Sequence, residues 1–168
     1  PTVMWVDGSD QFLAQRAEDD PYFGLGVKAL GVTPTFTKCT TTQKSQLMTA
    51  LNSADSYAGN AKSYFAAHSA TNISARYSTW FGAVTSSRYT TGKNHFDAIQ
   101  AAFATKPITV DCGCKKTYFA YVYPTQPYKI YVCKAFWSAG NTGTDSRAGT
   151  LIHEMSHFII VADTDDHV

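Results

Sequence analysis

The five-residue run His153-Glu154-Met155-Ser156-His157 is the feature that most constrains the fold of this chain. Residues four apart lie on the same side of an α-helix, because each turn contains 3.6 residues. A helix through this run therefore places the two imidazoles side by side, with Glu154 next to them. That arrangement is typical of a zinc hydrolase. The apolar runs on either side, residues 148–152 and 158–161, predict that the flanks of the helix are buried.

The composition indicates a single globular domain. The chain has 168 residues, of which 44% are hydrophobic and 14% aromatic, enough to bury a core. Fourteen basic and thirteen acidic residues give a net charge of +1 without a basic run, so a nucleic-acid partner has no electrostatic support. No stretch approaches the roughly 18 consecutive apolar residues of a membrane span. We expect a monomer that acts on protein or peptide substrates, with no nucleic-acid and no membrane partner.

The four cysteines, Cys39, Cys112, Cys114 and Cys133, indicate a secreted, extracellular protein with disulfide bonds. Cys112 and Cys114 are separated by one residue, a spacing shorter than that of the usual zinc-binding cysteine pair. Two cysteines this close also do not easily bond to each other. Four cysteines allow three connectivities, and the spacings alone do not choose among them.

The first 33 residues differ from the remainder of the chain. They contain five acidic residues and no cysteine, and Thr33-Pro34-Thr35 predicts an extended joint accessible to proteases. We interpret residues 1–33 as a lead-in segment, such as the tail of a propeptide, and residues 34–168 as the catalytic domain. The alternative is that residues 1–32 form the first hairpin and helix of the same domain.

The hydrophobic periodicity predicts an α+β fold that is mainly helical, with a small mixed sheet preceding the zinc-binding helix. A long helix is expected to begin at the hydroxyl residues 40–42 and to continue through residue 58. Further helices are predicted at residues 61–65, 72–81, 84–89 and 95–103. Alternating β-branched and aromatic residues predict strands at residues 108–110, 119–123 and 129–132.

A catalytic zinc ion needs a third protein ligand and an open position for water. The acidic candidates after His157 are Asp163, Asp165 and Asp166, and His167 follows them. In the metzincin pattern a glycine lies three residues after the second histidine and a ligand lies six residues after it. Asp163 has the position of that ligand, but Ile160 occupies the position of the glycine. These acidic residues could also simply face solvent in a turn, without binding a metal. That interpretation is weakest for Asp166, which lies nine residues after His157.

The chain resembles the deuterolysin family, the aspzincins, which includes peptidyl-lysine metalloendopeptidases and secreted bacterial exotoxins. The resemblance covers about residues 35–168. The matching features are residues 143–154, Ser156-His157-Phe158, Thr164 with Asp166, residues 76–82, 119–124 and 135–137, and all four cysteines.

The resemblance implies a zincin-like fold and one catalytic Zn²⁺ bound by His153, His157 and Asp166, with Glu154 as the general base. It also implies disulfides between Cys39 and Cys112 and between Cys114 and Cys133. The expected activity is that of a secreted zinc metalloendopeptidase, made as a proenzyme or acting as a toxin, with a preference for lysine after the scissile bond. The propeptide would then be a partner of the catalytic domain.

The family carries a tyrosine and further helices beyond the aspartate, whereas this chain stops at Val168. We therefore expect that the C-terminal part of the catalytic domain is missing. The alternative functions are a noncatalytic zinc-binding protein and a surface binding module in which the histidine motif is accidental.

Overall fold

The computed structural model describes residues 30–166, which form helices packed against a four-stranded mixed sheet. The strands are β1 (Thr35–Thr37), β2 (Thr109–Asp111), β3 (Ala120–Val122) and β4 (Lys129–Val132). The helices are α1 (Thr41–Ala67), α2 (Ala75–Phe81), α3 (Ser86–Thr105), α4 (Lys134–Ser138) and α5 (Arg147–Ser156). The predicted α+β class is confirmed. The predicted lead-in segment lies largely outside the described residues, so that boundary stays a prediction.

The first helix begins where the sequence predicts. Gln43 donates its backbone N–H to the Thr40 hydroxyl at 3.2 Å, and the Gln43 side chain accepts from the Thr40 N–H at 2.9 Å. This reciprocal capping box satisfies two N–H groups that the helix leaves unpaired. The separate helix predicted at residues 61–65 is wrong, because α1 continues unbroken to Ala67. Burial of Ala58, Ala61 and Tyr64 outweighs the cost of the glycine at residue 59.

The two helices predicted at residues 84–89 and 95–103 are a single helix, α3. A side chain at Gly92 would bring its Cβ to 3.0 Å from the Phe65 ring. Gly92 therefore allows α3 to pack closely against α1, and this contact compensates for the low helix propensity of glycine. The helix predicted from residue 72 begins at Ala75. Within residues 30–166, none of the helices combines the length and apolar character needed to cross a bilayer.

The sheet contains one strand that the periodicity did not reveal. Its strand order is β1-β2-β4-β3, in which β1, β2 and β4 are parallel and β3 is antiparallel at one edge. Thr35, predicted to lie in an exposed joint, is the first residue of β1, and its N–H donates to the Ile108 carbonyl at 2.9 Å. A three-residue strand at an edge is too short to show alternation. The three predicted strands are confirmed: β4 has the predicted bounds, β3 is one residue shorter at each end, and β2 is shifted by one residue.

A buried carboxylate connects the first two strands. Asp111 accepts hydrogen bonds from the Thr37 hydroxyl at 2.8 Å and from the Gly113 N–H at 2.7 Å, and the Lys38 Nζ lies 3.6 Å away. Burial raises the pKa of Asp111, but these hydrogen bonds and the lysine charge lower it below its usual value overall. A Cβ at Gly113 would lie 2.6 Å from the Lys38 side chain and 2.9 Å from the Asp111 carboxylate, so a larger residue would displace the Lys38 side chain or the carboxylate.

Both implied disulfides are present. Cys39 bonds to Cys112 with a Cα–Cα distance of 5.0 Å, and Cys114 bonds to Cys133 with a Cα–Cα distance of 4.7 Å. The first disulfide connects the end of β1 to the end of β2, and the second connects the segment after β2 to the end of β4. Together they fix the positions of β1, β2 and β4 relative to one another, and α5 packs against β3 and β4 of the same sheet.

Replacing both Cys39 and Cys112 with alanine is expected to lower the free energy of unfolding by about 4 kcal/mol. The loop between these residues spans 73 positions, and the entropy that a disulfide removes from the unfolded chain grows with loop length. The matched Cys114→Ala, Cys133→Ala variant opens a loop of 19 positions, so we expect a loss of about 3 kcal/mol. Urea unfolding monitored by circular dichroism measures both losses. A change below about 1 kcal/mol for the first pair would contradict the expectation.

Candidate functional site

The helix that carries the histidine motif is anchored at its start by two hydrogen bonds. Ser146 accepts the Gly149 N–H on its hydroxyl at 3.0 Å, which caps the start of α5. Arg147 donates from Nη2 to the Trp137 carbonyl at 2.8 Å, which attaches α5 to the end of α4. The inner face of α5 is fully buried and consists of Ala148, Leu151, Ile152 and Met155. The opposite side of its last turn is thereby directed to the surface.

The chain turns sharply after the helix, without a glycine. The Phe158 carbonyl accepts the N–H groups of residues 161, 162 and 163 at 2.8 to 3.2 Å, and Asp163 adopts a positive φ of 50°. The predicted burial of residues 158–161 is therefore only partly right. Phe158 is fully buried, whereas Ile159 and Ile160 are 55% and 68% exposed. The turn brings the acidic segment back beneath the end of α5.

Three predicted ligands converge at the end of α5. His153 Nε2 lies 2.9 Å from Asp166 Oδ1, His157 Nε2 lies 3.3 Å from the same oxygen, and the two histidine nitrogens are 2.9 Å apart. Among residues 30–166, these side chains form the cluster of three whose donor atoms lie within 4.8 Å of one another. Asp163 and Asp165 are not members of it, and His167 lies outside the described residues.

The donor set fits a zinc ion. Zinc binds histidine nitrogen and carboxylate oxygen at about 2.0 to 2.2 Å, so neighbouring ligand atoms around a tetrahedral ion are about 3.3 Å apart. One observed separation, 3.3 Å, equals that spacing, and the other two, 2.9 Å, are slightly shorter, so a small outward shift of the side chains would accommodate the ion. Two neutral imidazoles and one carboxylate leave one tetrahedral position open, which a catalytic zinc site requires. Burial and the neighbouring His157 lower the pKa of His153 despite the opposing effect of Asp166, and this favours the neutral, ligating form.

Hydrogen bonds attach the segment that carries Asp166 to the last turn of the helix. The Thr164 carbonyl accepts a hydrogen bond from His157 Nδ1 at 2.7 Å, which leaves Nε2 of that ring facing the cluster. The Thr164 hydroxyl lies 2.6 Å from the Ser156 hydroxyl, which donates to the His153 carbonyl at 2.6 Å. The backbone N–H of Thr164 also donates to the Ser156 carbonyl at 3.2 Å. These contacts orient the His157 ring and hold the segment that carries Asp166 against the last turn of α5.

Glu154 lies beside the cluster and is not part of it. The residue is only 6% exposed, and burial together with the Asp166 charge raises its pKa to about 8. A buried carboxyl group with a strongly raised pKa, next to a set of possible metal ligands, is characteristic of a catalytic acid or base.

An open cleft of about 210 Å³ lies over this group. Its walls are residues 120–122 of β3, Pro124, Glu154 and His157 of the histidine motif, and residues 164–166. The edge strand β3 thus forms one side of the cleft and the acidic segment the other. A peptide bond entering between them would meet Glu154 and two of the predicted ligands, His157 and Asp166.

The positioning role of Ser156 and Thr164 has no local signal in the sequence. Both residues occur in the motifs that carry the family resemblance, but neither has a spacing that indicates a function. Their contact spans eight residues and depends on the turn at Asp163, so only the folded chain reveals it.

Comparisons with known proteins identify the family of this chain. The aspzincin family, described as lysine-specific metallo-endopeptidase, matches residues 63–168. An extracellular protease of Aeromonas hydrophila is 48% identical over 98% of this chain, and the chain spans 46% of that relative's length. A peptidyl-Lys metalloendopeptidase of Pleurotus ostreatus is 44% identical over 80% of this chain and 79% of its own length.

A solved structure, a zinc peptidase from Grifola frondosa, superposes with a TM-score of 0.72 at 40% identity. The match covers 77% of this chain and 78% of that chain. It supports the zincin-like fold and zinc as the cofactor of the family. The family match covers well over half of the chain, and together with these relatives it confirms the resemblance found in the sequence. This chain therefore belongs to the aspzincin family of metallo-endopeptidases.

Proposed function

We propose that the protein containing this chain is a secreted, monomeric zinc metalloendopeptidase. In this proposal His153, His157 and Asp166 bind one catalytic zinc ion, and Glu154 is the general base. The observation that carries it is the convergence of three donor atoms within 4.8 Å beside a buried carboxyl group. The name of the Aeromonas relative, an extracellular protease, supports secretion and proteolysis.

When bound, zinc would polarise the carbonyl of the scissile peptide bond and make a nearby water more acidic. Glu154 borders the cleft and would accept a proton from the attacking water. Glu154 would then transfer that proton to the nitrogen of the leaving amine. Its carboxylate form is favoured in the loaded site, since a neighbouring cation lowers the pKa of a carboxyl group. Burial shields this proton transfer from bulk water.

Cleavage of internal bonds is supported by the position of β3 at the edge of the sheet. An extended polypeptide can pair with the free side of an edge strand, and such a strand borders the cleft here. A chain bound in this way passes across the site and does not have to end there. This arrangement suits an endopeptidase.

We also propose a preference for lysine after the scissile bond. Several relatives of this chain are named peptidyl-Lys metalloendopeptidases. In this chain the exposed Asp165 lines the cleft without being one of the clustered ligand residues, so its negative charge is available to a cationic side chain. The attraction between a lysine and this carboxylate would be partly screened by solvent.

We also propose that the protein is made as a proenzyme or acts as a toxin. Residues 1–33 contain five acidic and two basic side chains, whereas residues 34–168 contain eight acidic and twelve basic side chains. Opposite net charges favour binding of the first segment to the rest of the chain. A propeptide would use that attraction to remain attached until it is cleaved.

Casein digestion provides the direct test of the proposed activity. We expect the whole protein to degrade casein, to lose that activity with a zinc chelator, and to recover it when zinc is added back. Mass spectrometry of the products is expected to place lysine on the C-terminal side of most cleaved bonds. A protein that binds zinc but cleaves nothing would support the noncatalytic alternative. A protein without stoichiometric zinc would support the surface module.

A further inference from the structure

Four tyrosines form an aromatic surface on the face of the sheet that is turned away from the core. Ile130 and Val132 of β4 are fully buried, whereas Tyr131 between them points to the other face. In β3, Ala120 and Val122 pack against the core, so Tyr121 also points to that other face. We call Tyr118, Tyr121, Tyr123 and Tyr131 the tyrosine face.

The rings of the tyrosine face contact one another closely. Tyr121 and Tyr131 are directly opposite in the β3–β4 register, and their rings stack at 4.7 Å with an interplanar angle of 1°. Tyr118 and Tyr123 each pack edge-on against Tyr121, at 6.1 and 5.7 Å. Their exposed fractions are 44% and 49%. An ordered aromatic surface with this exposure indicates a binding surface.

This surface is continuous with the catalytic cleft. Tyr121 belongs to the edge strand and is one of the residues that border the cleft. Tyr131, its stacking partner, lies one strand further from the edge. The tyrosine face therefore begins at the strand along which an extended substrate would lie.

The hydrogen-bond register shows which groups of β3 face the cleft. Cys133 donates its N–H to the Phe119 carbonyl at 2.8 Å, so these opposite residues form a hydrogen-bonded pair. Such pairs alternate along an antiparallel ladder, which makes Tyr121 and Tyr131 the next hydrogen-bonded pair. The backbone N–H and C=O groups of Ala120 and Val122 then point to the open edge.

An antiparallel peptide bonded to Ala120 and Val122 would place one residue directly opposite Tyr121. On the open side this is a non-hydrogen-bonded position, where side chains approach most closely. The side chain of that residue would project onto the tyrosine face. The residues on either side of it would project in the opposite direction, toward the histidines and Glu154.

We propose that Tyr121, supported by Tyr123, forms a side-chain subsite for aromatic or large aliphatic residues of the substrate. Two lysines disfavour a basic residue in this subsite: the Nζ atoms of Lys116 and Lys129 lie 5.6 Å from the Tyr118 ring and 4.9 Å from the Tyr131 ring. The preference would therefore differ from the lysine preference of the cleft. This inference rests on the proposed peptidase activity.

A series of peptides with one lysine and a single phenylalanine tests the subsite. The phenylalanine is moved one position at a time from three residues before the scissile bond to three residues after it, in an otherwise Gly/Ala sequence. We expect kcat/KM to rise about 2- to 10-fold at one position, the size of an aromatic pair contact, and to fall when lysine replaces that phenylalanine. Absence of any preferred position would overturn the proposal.

Three variants test whether the Tyr121 ring makes the contact that causes this preference. Tyr121→Thr is expected to remove the phenylalanine preference, with a clearly larger loss of kcat/KM for the phenylalanine peptide than for the Gly/Ala peptide, and to keep one zinc ion per chain. Tyr121→Phe is expected to keep the preference, because the ring makes the contact. Tyr131→Thr removes the residue that stacks on Tyr121 from the neighbouring strand. This variant is expected to keep most of the phenylalanine preference. Equal losses for all peptides, or the same loss in Tyr131→Thr, would show a fold effect and overturn the proposal.

Two further readouts separate a failure of the subsite proposal from a failure of the proposed peptidase function, and show whether the tyrosine face is covered. If the wild-type protein cleaves none of the peptides, the proposed function fails and not the subsite alone. Nitration with tetranitromethane, followed by mass spectrometry, reports whether the tyrosine face is open in the full chain. Labelling of Tyr118 and Tyr123 is expected. Protection of both would mean that another segment, such as residues 1–29, or a second copy covers this face, which would overturn the proposal.

Discussion

Replacing Glu154 with glutamine is expected to lower kcat/KM for a peptide substrate by about 10²- to 10⁴-fold, the usual contribution of a general acid or base. The amide has nearly the same shape as the carboxylate, so the packing around this 6% exposed side chain is kept. The glutamine amide, however, does not take a proton from water at neutral pH. Glu154 is outside the group of clustered ligand atoms, so zinc content should remain one ion per chain.

The measurement pairs zinc content, by mass spectrometry of the metal, with kcat/KM for a fluorogenic peptide. Asp145→Asn is the matched control, because it also converts a carboxylate into an amide. Asp145 is exposed, lies before α5 and has a positive φ of 49° that asparagine tolerates. We expect unchanged activity in this control. If Glu154→Gln kept both zinc and activity within about tenfold of the wild type, the general-base role would be wrong.

Replacing Asp166 with alanine is expected to weaken zinc binding by about 10²- to 10³-fold and to reduce activity in proportion at limiting zinc. Zinc sites with four protein ligands bind with about 10 to 16 kcal/mol, which is roughly 3 kcal/mol for each ligand. In this chain the Asp166 carboxylate is the only clustered donor, among residues 30–166, that does not belong to the histidine motif. Its removal leaves two imidazoles, too few for a stable catalytic site.

Competition with a chromophoric zinc chelator measures this loss of affinity. Asp163→Asn is the control, since Asp163 lies in the same acidic segment and asparagine tolerates its positive φ of 50°. We expect wild-type zinc affinity in the control. If Asp163→Asn lost zinc and Asp166→Ala kept it, the ligand six residues after His157 would be the correct one, as in the metzincin spacing.

Much of the site was predictable because its strongest signals are local. Two histidines four apart identify a helix face, and the geometry of a single helix is enough to bring their rings together. The start of α1 at Thr40 was predictable for the same reason, since a capping box involves residues three apart. The disulfide pairs came from the family resemblance, because the cysteine spacings are compatible with three connectivities.

The errors concern features that depend on distant contacts. The helix breaks expected near residues 59 and 92 do not occur. Burial of the α1 residues around position 59, and close packing of Gly92 against the Phe65 ring, outweigh the low helix propensity of glycine. Strand β1 has three residues and obtains its partner, β2, from more than seventy residues further along the chain. Ile159 and Ile160 were expected to be buried, but the turn over the Phe158 carbonyl exposes them.

The sequence by itself determined the chemistry of this protein: the helix with two imidazoles and a carboxylate, the acidic segment that follows it, and the family to which the chain belongs. These are properties of residues close together along the chain. Only the tertiary structure shows how Asp166, the ligand that the family resemblance implies, comes to lie next to the histidines, because the turn at Asp163 and the contact between Ser156 and Thr164 set its position. It also decided that the tyrosine face adjoins the cleft, since that depends on strand order and register, which local residue patterns do not encode.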